Sequence, residues 1–225
     1  MTNKVYLMDC MEWMAGLPDN YADLAIVDPP YGINAGKMQL GTGRHEYKKS
    51  NWDKIIPGSK YFFELSRVSK NQIISGGNYF TKFLSPNNNW IIWDKLNPNM
   101  SFSEAELIWS SIKKNIKIFK FCSANLKDGK KIHPTQKPTA LYRWLLLNYA
   151  NPGWKIIDTH VGSGSIRIAC AEMGFNFEGT ELDPDYWQEQ ENRYLDYISQ
   201  GNLFDTEEIQ NLTYKEKENF NDKPR

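Results

Sequence analysis

Short apolar strings alternate with helical patterns along this chain. Ala22–Val27 reads as a buried strand that stops at Asp28-Pro29-Pro30, and Trp154–Asp158 as a second, followed by a glycine-rich turn. Further strands are predicted at Gln72–Ser75, Trp90–Trp93, Ala105–Ser110, Ile116–Phe121 and Phe175–Thr180. Apolar residues at helical spacing predict helices over Lys60–Ser69, Asn78–Leu84, Pro138–Tyr149, Ser165–Met173 and Asp185–Tyr197. In the helix from Pro138, Leu141, Trp144, Leu145 and Tyr149 recur at helical spacing, and proline suits a first turn, where no intrahelical bond needs its missing N–H. Strands alternating with helices predict an α/β fold on an open, mostly parallel sheet.

Two segments interrupt the pattern. Residues 32–53 are glycine-rich and without periodicity, longer than an ordinary connection, which points to a functional loop. Residues 111–131 concentrate lysine over a predicted strand and loop. The remainder up to residue 200 reads as one domain, and 201–225 as a polar tail rich in Asn, Glu and Lys. Lys+Arg and Asp+Glu each number 27. That zero balance excludes a partner held by bulk charge, so a nucleic acid would need a local basic face. Cys10, Cys122 and Cys170 make no CxxC, and no metal-spaced group with His45, His133 and His160. A reduced, cytoplasmic protein without disulfide or metal is expected. No apolar run is long enough for a membrane span.

Asp158 to Ser165 lies between a strand and a helix. Gly162 and Gly164 let the backbone approach a ligand, and the helix start offers free N–H groups. Glu181 ends the next strand, where an acid can accept both hydroxyls of a ribose. A nucleoside-containing cofactor is the functional reading, and an ordinary tight turn the plain one. Neither a third fingerprint glycine nor Gly-Lys-Ser/Thr is present, which argues against a triphosphate loop.

Asp28-Pro29-Pro30-Tyr31 is more specific. Each proline fixes φ and removes a donor, so the turn is rigid. Asp28 and the Pro29 carbonyl are two acceptors suited to an amino group with two N–H bonds. Tyr31 adds an aromatic face for a planar ring. The predicted pocket takes an exocyclic amino group on a flat base.

On these residues the sequence resembles the permuted (beta-group) DNA amino-methyltransferases, which use S-adenosylmethionine to methylate adenine N6 or cytosine N4. That group places Asp-Pro-Pro-Tyr early and the glycine loop late, as here. Val5-Tyr6-Leu7-Met8-Asp9-Cys10, Ile132-His133-Pro134-Thr135-Gln136-Lys137-Pro138 and Gly179-Thr180-Glu181-Leu182-Asp183 resemble three further segments of it. The resemblance implies a seven-stranded Rossmann-like sheet with helices on both faces and permuted motif order. It implies that Asp28, Pro29 and Tyr31 hold the target base while Pro30 shapes the turn. It places Asp9 and Cys10 at the cofactor's adenine and Glu181 at its ribose. Asp158, Gly162, Ser163, Gly164 and Ser165 fall around its methionine part. Thr135 and Lys137 close over that end, with Lys137 facing the cofactor carboxylate. His160 stands where the family has Phe, after Thr159 in place of Pro, which puts cofactor affinity in question.

The implied activity is transfer of a methyl group to adenine N6 in double-stranded DNA, with the base flipped out, as in restriction-modification. Cytosine N4 is the alternative, and a DNA-binding regulatory module without catalysis a third reading. Asp-Pro-Pro-Tyr is typical of the adenine enzymes. Arg44, Lys48, Lys49, Lys113, Lys114, Lys117, Lys127, Lys130 and Lys131 are candidate phosphate contacts, each with solvated charge as its plain reading. The family often dimerises, and a small recognition region would make a homodimer useful.

Overall fold

A computed structural model describes residues 1–34, 53–98, 103–122 and 131–201. The expectations for the 32–53 loop, most of the lysine-rich loop and the tail fall largely outside these residues. So do Arg44, Lys48, Lys49, Lys127 and Lys130.

The strands are β1 (Asn3–Leu7), β2 (Leu24–Val27), β3 (Gln72–Ser75), β4 (Trp90–Asp94), β5 (Ala105–Ser110), β6 (Lys117–Lys120), β7 (Lys155–Asp158) and β8 (Asn176–Glu181). The helices are α1 (Cys10–Ala15), α2 (Ser59–Val68), α3 (Thr139–Tyr149), α4 (Ser165–Glu172) and α5 (Pro184–Gly201). All strands join one eight-stranded sheet in the order β1-β8-β7-β2-β3-β5-β4-β6. β5 runs antiparallel to both its neighbours, and every other pairing is parallel.

The expected sheet had seven strands; the eighth is β1. It is an edge strand in which only Val5 is buried, so its hydrophobic signal is short and weak. α1 was also missed, and the predicted Asn78–Leu84 helix is only a 3-10 turn at Gly77–Tyr79. Left-handed Gly76 starts that turn, and Phe80 leaves it for the core at 0% exposure.

Strand residues alternate between two apolar layers, as a period of two requires. Leu24, Ile26, Ile73, Ile108 and Ile156 face α3 and α4, packing with Leu141, Leu145 and Ile166. Ala25, Val27, Ile74, Trp109 and Ile157 face α1 and α2, packing with Met14, Phe62 and Leu65. Helices therefore cover both faces.

The connection from β2 through α2 leads to β3 on one side, and from β7 through α4 to β8 on the other. β2 and β7 are adjacent and parallel, with Leu24 opposite Ile156 and Ala25 opposite Ile157. The chain thus diverges between them, and ligands of open α/β sheets bind outside the carboxyl ends of strands at such a point. The two loops singled out in the sequence, at Asp28 and at Asp158, leave β2 and β7 there.

Candidate active site

Asp28 ends β2, with Pro29 buried behind it. Its carboxylate is engaged on both oxygens. The Tyr31 hydroxyl donates to Oδ1 at 2.6 Å, and the Lys137 ammonium donates to Oδ2 at 2.5 Å. Lys137 precedes α3 and is 5% exposed. It also lies 2.9 Å from Oε1 of Glu106, which is 2.8 Å from the Tyr31 hydroxyl oxygen. Lys95 reaches the other Glu106 oxygen at 3.4 Å. Burial, opposed by Lys137 and reinforced by Glu106, pushes the Asp28 carboxyl upward. Against the upward push of burial, Lys137 and Lys95 hold Glu106 below the ordinary range. Burial alone would lower Lys137, but Asp28 and Glu106 outweigh it and raise the ammonium.

Two of the expected site residues have partners within the protein. Lys137, read as facing a cofactor carboxylate, is a buried ion-pair partner of Asp28 and Glu106, because a buried ammonium needs fixed anions within contact distance. Tyr31, expected to offer an aromatic face to a flat ring, stacks on Tyr79 with centroids 4.9 Å apart and planes at 13°. Gly76 packs against the Tyr31 ring so closely that a Cβ there would overlap it. Glu106 went unnoticed in the sequence. Its cue, a lone acid among apolar residues of a predicted strand, was present in Ala105–Ser110.

The second loop forms a connected frame. Asp158, 1% exposed, accepts the His160 N–H at 2.9 Å. Burial, with Asp28 and Glu181 adding to it against that bond, pushes the Asp158 carboxyl up to about 8. Gly162 and Gly164 take φ of 52° and 72°, a region open to glycine without Cβ strain. The Gly162 N–H donates to Glu181 Oε2 at 2.9 Å, and the Asp183 N–H to Oε1 at 2.9 Å. Arg193, on α5, donates to the Ser163 carbonyl at 2.6 Å and to Ser165 Oγ at 3.0 Å. β1 lies beside β8 with Leu7 opposite Glu181, which brings Asp9 and Cys10 to the same edge. Asp9 caps α1 through the N–H groups of Met11 and Glu12.

A cavity of about 240 Å³ opens at this edge, lined by Cys10, Met11, Pro57, Gly58, Lys60, Tyr61 and His160. His160 meets the Tyr61 ring edge-on at 5.5 Å, and the Tyr61 hydroxyl bonds Thr159 at 2.7 Å. Burial pushes the His160 imidazole down to about 4 and the Cys10 thiol up to about 12, so both are neutral near pH 7. His133 packs edge-on to Tyr186 and takes the Thr135 N–H on Nδ1 at 3.3 Å. Thr135 therefore comes to the glycine-loop side, since Gly162 lies next to His133.

The candidate phosphate contacts divide. Lys131, with Lys137, helps push His133 down and so belongs to the site end of the molecule. Lys114 and Lys117 bond Asn148 near the C-terminal end of α3. α3 begins beside Lys137 and has 11 residues, so that end is about 16 Å farther along its axis. Lys113 and Lys114 lie between β5 and β6 and Lys117 begins β6, at the end of the sheet opposite Asp28. The structure does not bring these three lysines to the site, because antiparallel β5 delivers the chain to the opposite end.

Among the described residues no group of three or more His, Cys, Asp and Glu could hold a metal, and no helix is long and apolar enough to cross a membrane.

Residues 92–192 match the model of a DNA methylase family, the N6/N4 methyltransferases. Over 85% of this chain, the sequence is 28% identical to the type II methyltransferase M2.MboI of Moraxella bovis, covering 87% of that protein. The fold is similar to that of M1.HpyAVI, solved as a SAM complex, with a TM-score of 0.58 and 21% identity over 85% of this chain and 98% of that one. It is also similar to the cytosine-N4-specific PvuII DNA methyltransferase, with a TM-score of 0.61 and 14% identity over 96% of this chain and 92% of that one. In its motifs, in the stretch from residue 92 to 192 and in its fold, the chain is similar to the N6/N4 DNA methylases.

Proposed function

We propose that this protein transfers a methyl group from S-adenosylmethionine to the N6 amino group of adenine in double-stranded DNA. The observation that carries the reading is the position of Asp28-Pro29-Pro30-Tyr31 and the Asp158–Ser165 loop at the ends of adjacent strands. An amino-binding turn and a nucleoside-binding loop thereby face one another.

The residues of the second loop fit the cofactor. Buried Asp158 accepts the His160 N–H, next to backbone held open by Gly162 and Gly164. Glu181 is held by two backbone N–H groups, oriented to accept ribose hydroxyls. Cys10, Tyr61 and His160 wall the cavity beside it, where the adenine would lie near Asp9. Ser163, Ser165 and Thr135 add hydroxyls around the methionine part. When bound, S-adenosylmethionine supplies a methyl group made electrophilic by the sulfonium charge.

The protein's own work is alignment. The adenine amino nitrogen is a poor nucleophile because its lone pair is delocalised into the ring. Asp28 and the Pro29 carbonyl accept its two N–H bonds, favour a pyramidal nitrogen and aim the lone pair. Alignment and a preorganised acceptor lower the barrier without a nucleophilic side chain. Asp28 is available to hold the proton released from the nitrogen. The target atom is stacked inside a duplex, so the base must leave the helix, as DNA methyltransferases generally require.

Adenine is preferred over cytosine because the turn begins with Asp rather than Ser, the usual residue of the cytosine-N4 enzymes. Asp28→Asn tests the reading: methyl transfer should fall about 100- to 1000-fold with cofactor binding retained. Near-normal turnover in that variant rejects it.

A further inference from the structure

We propose that Glu106 is a positioning residue of this reaction: it is the second anchor that lets Lys137 yield the Asp28 carboxylate to the incoming amino group. The inference rests on the reading of Asp28 given above.

The geometry has one cation between two acids. Lys137 Nζ is 2.5 Å from Asp28 and 2.9 Å from Glu106, and 3.1 Å from the Tyr31 hydroxyl. An ammonium on Asp28 is an N–H donor in the place where the base's amino group must donate. The base cannot use that oxygen while Lys137 holds it. Without a second anion, moving Lys137 aside would leave a buried, unpaired charge, which is strongly unfavourable. Glu106 removes that obstacle, because Lys137 can lean on it while Asp28 accepts the base.

Glu106 is itself built into the sheet. It sits on β5 opposite Trp93 of β4, and Lys95 pairs with its outer oxygen at 3.4 Å. The two carboxylates and two ammoniums balance. Tyr31 links them, since its hydroxyl oxygen lies 2.6 Å from Asp28 and 2.8 Å from Glu106. Its single proton can serve only one carboxylate at a time. It can therefore turn toward Glu106 when the base occupies Asp28. The other groups whose charges act on this cluster or feel it are Asp158 at the end of β7, Tyr61 on α2, His133 before α3 and Tyr142 on α3.

Neutralising Glu106 should fasten Lys137 to Asp28. The test is Glu106→Gln in the full chain, assayed for methyl transfer to duplex DNA across pH. KM for DNA should rise about tenfold, the worth of a charged hydrogen bond that the base must displace. Cofactor affinity should stay unchanged. The acid limb of the rate profile should move to lower pH, because a neighbouring negative charge is gone and Lys137 acts on Asp28 more fully. Adding Lys137→Met to Glu106→Gln should restore KM for DNA toward the wild-type value, a rescue that a merely structural glutamate would not allow. An unchanged KM in Glu106→Gln, or a double variant worse than the single one, overturns the inference. If Glu106→Gln does not fold, Lys137→Met alone decides. Its acid limb should move to higher pH, and an unmoved limb overturns the inference. An active Asp28→Asn variant would instead reject the underlying reading, whereas an inactive one beside a wild-type-like Glu106→Gln rejects the anchor alone.

Discussion

The Gly162 N–H donates to the Glu181 carboxylate at 2.9 Å, tying the glycine loop after β7 to the end of β8. One carboxylate thus shapes the loop and is presented to the ligand. Replacing Glu181 with Ala should weaken S-adenosylmethionine binding about 10- to 100-fold, the range of a charged hydrogen bond plus lost orientation. The rate at saturating cofactor should change less. Calorimetry checks this, and an unchanged dissociation constant removes Glu181 from the ribose site.

Asp158 gives a pH dependence of definite sign. Its carboxyl, pushed up to about 8 by burial and neighbouring acids, is mostly neutral at pH 7 in the ligand-free protein. A cationic ligand beside it lowers that value, so binding releases a proton. Affinity for S-adenosylmethionine should therefore rise with pH below about 8 and level off above it. Titrations in buffers of different ionisation enthalpy count the proton. Asp158→Asn should bind without the pH slope, and a wild-type protein with no proton release contradicts the assignment.

Gly76→Ala probes the support beneath Tyr31. Gly76 has a φ of 63°, and a Cβ would run into the Tyr31 ring. Left-handed backbone alone costs about 1–2 kcal/mol for a residue with a side chain. With the overlap, a loss of about 2–4 kcal/mol in folding stability is expected, in the range of strained or overpacked sites. Chemical denaturation measures it. A stability loss below about 0.5 kcal/mol, the scale of neutral surface changes, would show that the ring is not held there.

The lysines around the start of β6 should be silent. Replacing Lys113, Lys114 and Lys117 together by Ala should leave the salt dependence of DNA binding unchanged, since they stand at the end of the sheet opposite Asp28. A true phosphate contact would reduce the slope of log affinity against log salt by about one per lysine. A slope lowered by two or three would return these residues to the DNA interface.

How far the sequence exposed this architecture depended on how local each signal was. Asp28-Pro29-Pro30-Tyr31 and the loop around Gly162 are contiguous, and proline and glycine fix their backbones without help from the fold. β2, buried on both faces, reads as an unbroken apolar run, and β7 as Ile156-Ile157 ahead of its glycine loop. β1 did not, because an edge strand with one buried residue lacks such a run. Glu106 is 75 residues from Tyr31, and only the pairing of β3 with antiparallel β5 brings them together. The ion pairs of Lys137 were hidden for the same reason: its partners are Asp28 after β2 and Glu106 on β5, both distant in sequence. The lysines at 113–117 looked like a basic face in one dimension. The direction of β5 decides which end of the sheet they reach.

Methyl transfer to the adenine amino nitrogen is the reaction proposed for this site. Its most direct test is to incubate the purified protein with duplex DNA and S-adenosylmethionine carrying an isotopically labelled methyl group. The DNA is then digested to nucleosides and resolved by mass spectrometry. Label is expected in N6-methyldeoxyadenosine, and is expected to be lost with Asp28→Asn. Label in N4-methyldeoxycytidine instead, or in no nucleoside at all, would contradict it.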